Sequence, residues 1–260
     1  MEAVSSVIQG KRGPAGSTLK IAAVVTMLID HIGAAVVLRM LTGADSMTSS
    51  IVRDNFETWQ TAYVVMRQIG RLAFPIYCFL LVEGFQKTHD VKKYALRLGV
   101  FALVSEIPFN LAFRGKVFSP DYQNVFLTLL LALLAMWGMR LVETHVGIKW
   151  LGLLLQIPVA ALGMTAAQLL HTDYAARGVF CILVMYILRR RRWQQVLAGG
   201  LSFYYVLYEP TALPAFLLIW LYNGERGIRM KYFFYWFYPV HLLILFGVCM
   251  LMGLAEPVLF

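Results

Sequence analysis

Apolar stretches of about 20 residues follow one another along almost the whole chain, with short polar connections between them. A helix of that length and composition is long enough to cross the hydrocarbon core of a bilayer. Neither the alternation of a transmembrane β-barrel nor an internal repeat interrupts the pattern. The sequence therefore predicts an all-α fold, a polytopic membrane helix bundle of about nine transmembrane helices. The predicted spans are residues 18–40, 62–85, 94–113, 123–142, 148–170, 174–188, 193–208, 211–222 and 232–254.

The amino-acid composition excludes most classes of soluble protein. Hydrophobic residues make up 60% of the 260 residues and charged residues only 14%, whereas soluble domains are about half apolar and about a quarter charged. This composition is unlike that of disordered chains, coiled coils, disulfide scaffolds and ordinary cytosolic enzymes. The three cysteines, Cys78, Cys181 and Cys249, lie inside apolar runs and are expected to be packing residues.

Two regions are predicted along the chain. Residues 1–17 are polar and rich in Gly and Ser, and we expect them to form a cytoplasmic N-terminal tail. Residues 18–260 are expected to form a single transmembrane domain. Its first apolar run carries Asp30 and His31 without a small-residue cleavage site close behind, so we expect a retained helix rather than a signal peptide.

The basic residues are distributed unequally between the two sides of the predicted bundle. With the N-terminus in the cytoplasm, 16 of the 23 Lys and Arg residues fall on the cytoplasmic side and five outside. Joining the short seventh and eighth spans into one would change these counts to 13 and eight. Because basic residues collect in cytoplasmic loops, we predict nine spans in a bacterial cytoplasmic membrane, with the C-terminus outside. The net charge of +9 is then explained by the excess of Lys and Arg on the cytoplasmic side. No nucleic-acid partner is expected.

The first two spans carry ionisable residues, which are costly inside a bilayer and therefore mark candidate functional positions. Asp30 and His31 lie about 18 Å along the first helix, and neighbouring helical residues project about 100° apart. Each therefore needs a partner on another helix. Arg67 and Arg71 are four residues apart and share one face of the second helix.

Further polar residues occur at the same depth on other helices. Glu106 and Asn110 share a face of the third helix, and Asn124 opens the fourth. We expect a polar cavity open to the outside, in which the two arginines oppose Asp30 and Glu106. The alternative is an arginine–carboxylate network that only fastens helices together.

Two histidines lie within predicted spans. His31 suits proton transfer, because a neutral imidazole adds little as a structural contact. His241 follows Tyr238 and Pro239, and the proline kink would aim it into the cavity; a packed histidine bonded to a carbonyl is the alternative. Near the inner end of the second helix, Glu83 is expected to pair with Lys87.

The predicted cytoplasmic face is strongly basic, and two explanations stand beside each other. One is topology and attraction to anionic lipid. The other is an electrostatic funnel for a polyanionic donor such as an acyl-coenzyme A. No phosphate-binding loop, dinucleotide fingerprint or zinc motif occurs, and no metal is expected. The residues assigned to such a donor are Lys92, Lys93, Arg97, Arg189 and Arg190.

Four segments resemble the TraX family. The first signature is TMLIDHIG from Thr26, and the main block is RQIGRLAFPIYCFLLVEGFQKTHDVKKYALRLGVFALVSEIPFNLAF from Arg67. The other two are QNVFLTLLLALL from Gln123 and FYPVHLLIL from Phe237. This family is named for a pilin acetylase and is similar to a branch of the transmembrane acyltransferases, which move an acyl group from cytosolic acyl-CoA to an acceptor across the bilayer.

The resemblance implies an integral-membrane acetyltransferase or other acyltransferase that uses acetyl-CoA or another acyl-CoA. His31 matches the family's first-helix histidine and is the expected general base, with Asp30 or Glu106 fixing its tautomer and Arg71 or Asn110 stabilising the oxyanion. The expected catalytic residues are His31, Asp30, Arg71 and Glu106, and the expected substrate-binding residues are Arg67, Asn110, Asn124, Tyr238 and His241.

The acceptor stays open among a peptide N-terminus, a glycan and a small molecule, on an amine or hydroxyl at the outer side. A proton-coupled transporter is the alternative function, with Asp30, His31 and Glu106 as a relay. Against it, the sequence lacks the inverted repeats and paired interrupted helices of many transporters. A non-catalytic assembly factor is a third function compatible with the sequence.

Overall fold

In a computed structural model, which describes residues 13–43, 49–228 and 231–255, the chain folds into helices joined by short connections. The helices are α1 Gly16–Ile32, α2 Leu38–Thr42, α3 Ser49–Asp54, α4 Phe56–Gly70, α5 Ala73–Lys87, α6 Val91–Arg114, α7 Val125–His145, α8 Lys149–Leu169, α9 Ala175–Ile187, α10 Arg192–Tyr205, α11 Pro214–Trp220 and α12 Lys231–Leu251. A π-helical turn, Gly33–Val37, joins α1 to α2, and a 3₁₀ turn, Pro210–Ala212, precedes α11. Within the described ranges the β-structure is one isolated bridge between Gln123 and Thr172.

The all-helical prediction is confirmed for the described residues, and six segments are long and apolar enough to cross a membrane. The helices α9, α10 and α11 are shorter, although each lies where a span was predicted. The count of nine spans and the orientation of the termini stay predictions. The six segments are Gly16–Thr42, Phe56–Lys87, Val91–Arg114, Val125–His145, Lys149–Leu169 and Tyr232–Leu251.

Local sequence explains where several helices begin and end. The Asp90 carboxylate accepts a hydrogen bond from the Lys93 amide and caps α6, and Asn124 caps α7 by accepting from the Phe126 amide. At its C-terminus, α6 ends at Gly115, whose φ of 68° is a left-handed conformation that glycine adopts without strain. The second predicted span is interrupted at Arg71 and Leu72, which separate α4 from α5.

The buried core lies between α1, α5, α6, α7, α9, α11 and α12, and includes large side chains such as Phe79, Phe85 and Tyr186. By contrast, α8 exposes Leu153, Ile157 and most of its other apolar side chains, as a helix facing lipid is expected to do. We call the end of the bundle where α1 begins the basic end. There the chain before α1 pairs with the connection between α11 and α12 through backbone hydrogen bonds.

Close packing at Gly199 gives a test of this architecture. A Cβ atom at Gly199 in α10 would lie 2.6 Å from the Phe216 ring of α11 and 3.2 Å from Met185 of α9. We expect Gly199→Ala to lower the free energy of unfolding by about 1–3 kcal/mol through overpacking. Gly247 in α12 has open space around it, so Gly247→Ala is the matched control and is expected to be neutral or stabilising. Thermal unfolding in detergent measures both; equal melting temperatures would contradict the packing of α9, α10 and α11.

Candidate active site at the centre of the bundle

Two histidines from opposite ends of the sequence meet in the interior of the bundle. His31 Nδ1 of α1 lies 2.7 Å from His241 Nε2 of α12, and the rings are 5° from parallel with their centroids 5.0 Å apart. The expectation that His31 finds its partner on another helix is confirmed. The expectation that Asp30 or Glu106 contacts the imidazole was wrong, because both carboxylates bond elsewhere.

The hydrogen bonds fix the proton positions of the neutral pair. His241 Nδ1 lies 2.7 Å from the Phe237 carbonyl oxygen, which can only accept, so Nδ1 carries the proton. The other nitrogen of His241, Nε2, is then an acceptor, and His31 Nδ1 must donate to it. This assignment leaves a lone pair on His31 Nε2, which is therefore the basic atom of the pair.

A π-helical turn follows His31 directly. It runs from Gly33 to Val37 and replaces regular α-helical geometry in the first span. Such turns are rare and frequently lie at functional sites. Gly33 allows α1 and α4 to approach, because a Cβ atom there would come within 3.2 Å of the Met66 Cβ. Hydrophobic periodicity over so few residues did not reveal this turn.

Asp30 and Arg67 form an ion pair between α1 and α4. Arg67 Nη1 lies 2.6 Å from Asp30 Oδ2, so the predicted pairing of an arginine with Asp30 is confirmed. The other carboxylate oxygen, Oδ1, is buried and has no hydrogen-bond partner among the described residues. Gly70 packs directly against this carboxylate, and a Cβ atom there would overlap it. The close approach of the α4 backbone to Asp30 therefore depends on glycine at position 70.

Arg71 pairs with a residue that sequence reasoning missed. Its guanidinium lies 3.2 Å from Glu209 Oε1 and beside Tyr174, at the break between α4 and α5. Glu209 belongs to the connection between α10 and the 3₁₀ turn, which the sequence analysis treated only as a link next to Pro210. Burial raises the pKa of the Glu209 carboxyl against the opposing effect of Arg71. Its Oε2 has no hydrogen-bond partner within the described part of the chain.

Glu106 does not oppose the arginines, which corrects a second expectation. The Asn110 amide donates to Glu106 Oε1 at 3.2 Å, and the Asn124 amide donates to Oε2 at 2.7 Å. Asn124 also donates to the Ala102 carbonyl at 2.8 Å. This polar cluster fastens α6 to the start of α7. The hydrogen bonds of Glu106 lead to these two asparagines and not to the histidine pair. Its catalytic role stays a prediction.

Asp173, in the connection between α8 and α9, forms another polar contact. The Tyr122 hydroxyl donates to Asp173 Oδ1 at 2.5 Å, and the Thr128 hydroxyl donates to the Asp173 carbonyl oxygen. Burial raises the pKa of the Asp173 carboxyl to about 6, although the Tyr122 hydrogen bond and the charges of Arg71 and Arg67 favour the ionised form. The sequence places Asp173 in the turn between the fifth and sixth predicted spans, at the depth of the other polar residues, but does not indicate Tyr122 as a site residue.

A cavity of about 380 Å³ leads from the basic end into the bundle. Basic side chains surround its mouth, and aromatic side chains line much of its wall. Its deep end reaches Met27, one helical turn before His31 in α1, and Tyr238, whose ring contacts His31 edge-on at 5.9 Å. From Lys20 to His31 the depth along α1 is about 16 Å. The basic residues at the mouth are Lys20, Lys87, Arg97 and Arg226.

The cavity contains one of the five residues that the sequence analysis assigned to a donor, namely Arg97. Lys93 instead pairs with Asp90 at 3.2 Å, and Arg189 pairs with Glu143 at 2.8 Å. Lys92 and Arg190 also lie outside the cavity lining. The predicted pair of Glu83 and Lys87 is confirmed at 2.6 Å, which places Lys87 at the mouth. Among the described residues, no group of three metal-ligating side chains occurs.

The raised pKa of Asp173 predicts a pH-dependent stability. The folded protein holds this proton more tightly than an unfolded chain, so the stabilisation is complete at low pH and is lost as pH rises through about 6. We expect Asp173→Asn, which stays neutral, to gain stability relative to the unmodified protein between about pH 4 and about pH 7. Melting temperatures in detergent across this range measure the difference; parallel curves for the two proteins would contradict it.

Comparison with known proteins identifies the family. The model of the family described as TraX protein matches residues 15–249. A probable fimbrial assembly protein FimC, serogroup H1, of Dichelobacter nodosus is 29% identical over 256 residues, covering 87% of this chain and 92% of the relative. No solved structure gave a significant match. Because the family model spans nearly all of the apolar segments and both histidines of the central pair, the chain belongs to the TraX family.

Proposed function

We propose that this protein is an integral-membrane acyltransferase, most simply an acetyltransferase, that uses cytosolic acyl-CoA to modify an acceptor at the outer side. One observation carries the proposal. A cavity with four basic residues at its mouth ends one helical turn from a histidine pair whose neutral form has a lone pair on His31 Nε2. This arrangement suits a polyanionic donor with a long arm and a reactive end.

The donor site follows from the lining of the cavity. Lys20, Lys87, Arg97 and Arg226 would bind the phosphate groups of the donor, and the aromatic wall would surround its extended arm. This assignment replaces Lys92, Lys93, Arg189 and Arg190 as first contacts of the donor. Those four remain on the basic surface around the bundle end, where they would attract the donor or anionic lipid.

The chemistry is direct transfer in a complex of both substrates. The acceptor nitrogen or oxygen attacks the thioester carbonyl carbon while His31 Nε2 takes its proton. A carbon–nitrogen or carbon–oxygen bond forms, the carbon–sulfur bond breaks, and the leaving thiolate takes the proton from His31. The described residues offer no Ser or Cys beside His31, so the proposal contains no covalent enzyme intermediate at such a residue.

The acceptor side is rich in carboxylates. Glu209 Oε2 is a buried acceptor without a hydrogen-bond partner among the described residues, and a substrate with an N–H donor would satisfy it. Asp30 Oδ1 also has no partner among these residues, but Gly70 packs against it. A fimbrial assembly relative supports a peptide acceptor. A glycan or small molecule with a suitable amine or hydroxyl would be bound by the same groups.

We propose that the N-terminus lies in the cytoplasm and the C-terminus outside. The connection between α10 and α11 contacts Arg71 in the interior, while Arg192 at the start of α10 stacks on Tyr222 beyond α11. Both ends of this helical hairpin therefore lie at the basic end. The hairpin returns to that side whether it counts as two spans or as one re-entrant element, so α12 leads outward in both cases.

Reporter fusions test this topology. Alkaline phosphatase fused after residue 260 is expected to be active, because it would reach the oxidising side of the membrane, whereas green fluorescent protein fused there would stay dark. Fusions in the connection between α9 and α10 should give the opposite result. A fluorescent C-terminal fusion with inactive phosphatase would overturn the proposed orientation.

An acetyl-transfer assay tests the function. Protein in nanodiscs is mixed with labelled acetyl-CoA and a series of amine and hydroxyl acceptors, including peptides. We expect His31→Gln to lower kcat by roughly 10²–10⁴-fold, because it removes the general base. His145 is exposed and bonds to the Leu141 carbonyl of its own helix, so His145→Gln is the control and should keep full activity.

Variants at the mouth separate donor binding from chemistry. Arg97→Gln and Arg226→Gln are expected to raise the KM for acetyl-CoA with little change in kcat, since they remove ground-state binding. Full activity of a folded His31→Gln protein would reject His31 as the general base. Proton-gradient-driven uptake in proteoliposomes without binding of CoA would reject the acyltransferase.

A further inference from the structure

Acyl transfer from a thioester needs a hydrogen-bond donor for the oxygen that becomes negatively charged in the tetrahedral intermediate. Both groups that the sequence suggested for this role are engaged. The Arg71 guanidinium pairs with Glu209 at 3.2 Å, and the Asn110 amide donates to Glu106 at 3.2 Å. The oxyanion's hydrogen-bond donor is therefore to be sought where the deep end of the cavity approaches the histidine pair.

Tyr238 of α12 lies at this deep end, next to the histidine pair. It lines the deep end of the cavity and is only 3% exposed. Its ring contacts His31 edge-on at 5.9 Å and His241 at 5.7 Å. A thioester carbonyl at the end of the cavity would thus lie against the Tyr238 side chain and close to the histidines.

The environment of the Tyr238 hydroxyl favours donation to a substrate. Phe126, at the N-terminus of α7, packs edge-on against the Tyr238 ring at 5.1 Å, and Val125 lines the same cavity. The positive end of the 21-residue helix α7 strengthens the hydroxyl as a donor to negative charge.

Building on the proposed acyltransfer, we propose that Tyr238 is a catalytic residue whose hydroxyl stabilises the oxyanion. As the acceptor attacks, its proton moves to His31 Nε2 and the carbonyl electrons move to the oxygen. The Tyr238 O–H donates a hydrogen bond to that oxygen and keeps its own proton. When the carbonyl forms again, the carbon–sulfur bond breaks and the thiolate takes the proton from His31.

The test removes one oxygen atom. Tyr238→Phe is expected to lower kcat for acetyl transfer by roughly 10²-fold, with the KM for acetyl-CoA and the melting temperature nearly unchanged. Tyr186 of α9 is also buried but does not line the cavity. Tyr186→Phe is therefore the matched control and should keep its kcat.

If the Tyr238→Phe protein fails to fold, a second measurement tests the same role of the hydroxyl. Fluorotyrosines placed at position 238 keep the ring and hydroxyl but make the hydroxyl more acidic. A kcat that changes in step with that acidity supports the donor role, whereas an unchanged kcat overturns it. Equal kcat for Tyr238→Phe and unmodified protein also overturns the inference and leaves the acyltransferase standing. Absence of transfer by the unmodified protein would instead reject the proposed function itself.

Discussion

A charged group inside a membrane bundle is stable only beside an opposite charge or well-placed hydrogen-bond partners. This constraint determines how the helices of this protein meet. The pair of Asp30 and Arg67 joins α1 to α4, and the pair of Arg71 and Glu209 joins the break after α4 to the connection before α11. With these two pairs in place, His31 faces α12 and meets His241.

Two regions of different chemistry lie near the histidine pair. Toward the basic end lies a cavity with a cationic mouth and an aromatic wall. A second region holds the buried carboxylates of Asp30, Asp173 and Glu209 beside Arg67 and Arg71. Phe113 and Phe237 pack on the histidines and reduce the access of water. In the proposed acyltransfer, a thioester held at the end of the cavity would be protected from hydrolysis until an acceptor arrives.

The sequence predicted helix positions and depth, because a run of apolar residues and the rise per residue determine both. It therefore identified Asp30, His31, Arg67 and Arg71 as candidates. It did not predict their partners, since rotation about each helix axis and the order of helices in space depend on the whole packed bundle. Glu209 was missed for this reason: its sequence neighbours describe a connection, and only folding brings it to Arg71.

The choice of His241 rather than a carboxylate as the partner of His31 has a physical consequence. An aspartate beside the imidazole would place a negative charge in an apolar interior, which is costly unless a cation balances it. Here Arg67 balances Asp30 at 2.6 Å, and the histidine pair holds no formal charge in its neutral form. The Phe237 carbonyl orients His241, and His241 orients His31, so the basic nitrogen is fixed by two neutral hydrogen bonds. The resting pair therefore keeps a basic nitrogen without an unbalanced buried charge, and in the proposed acyltransfer this nitrogen serves as the general base.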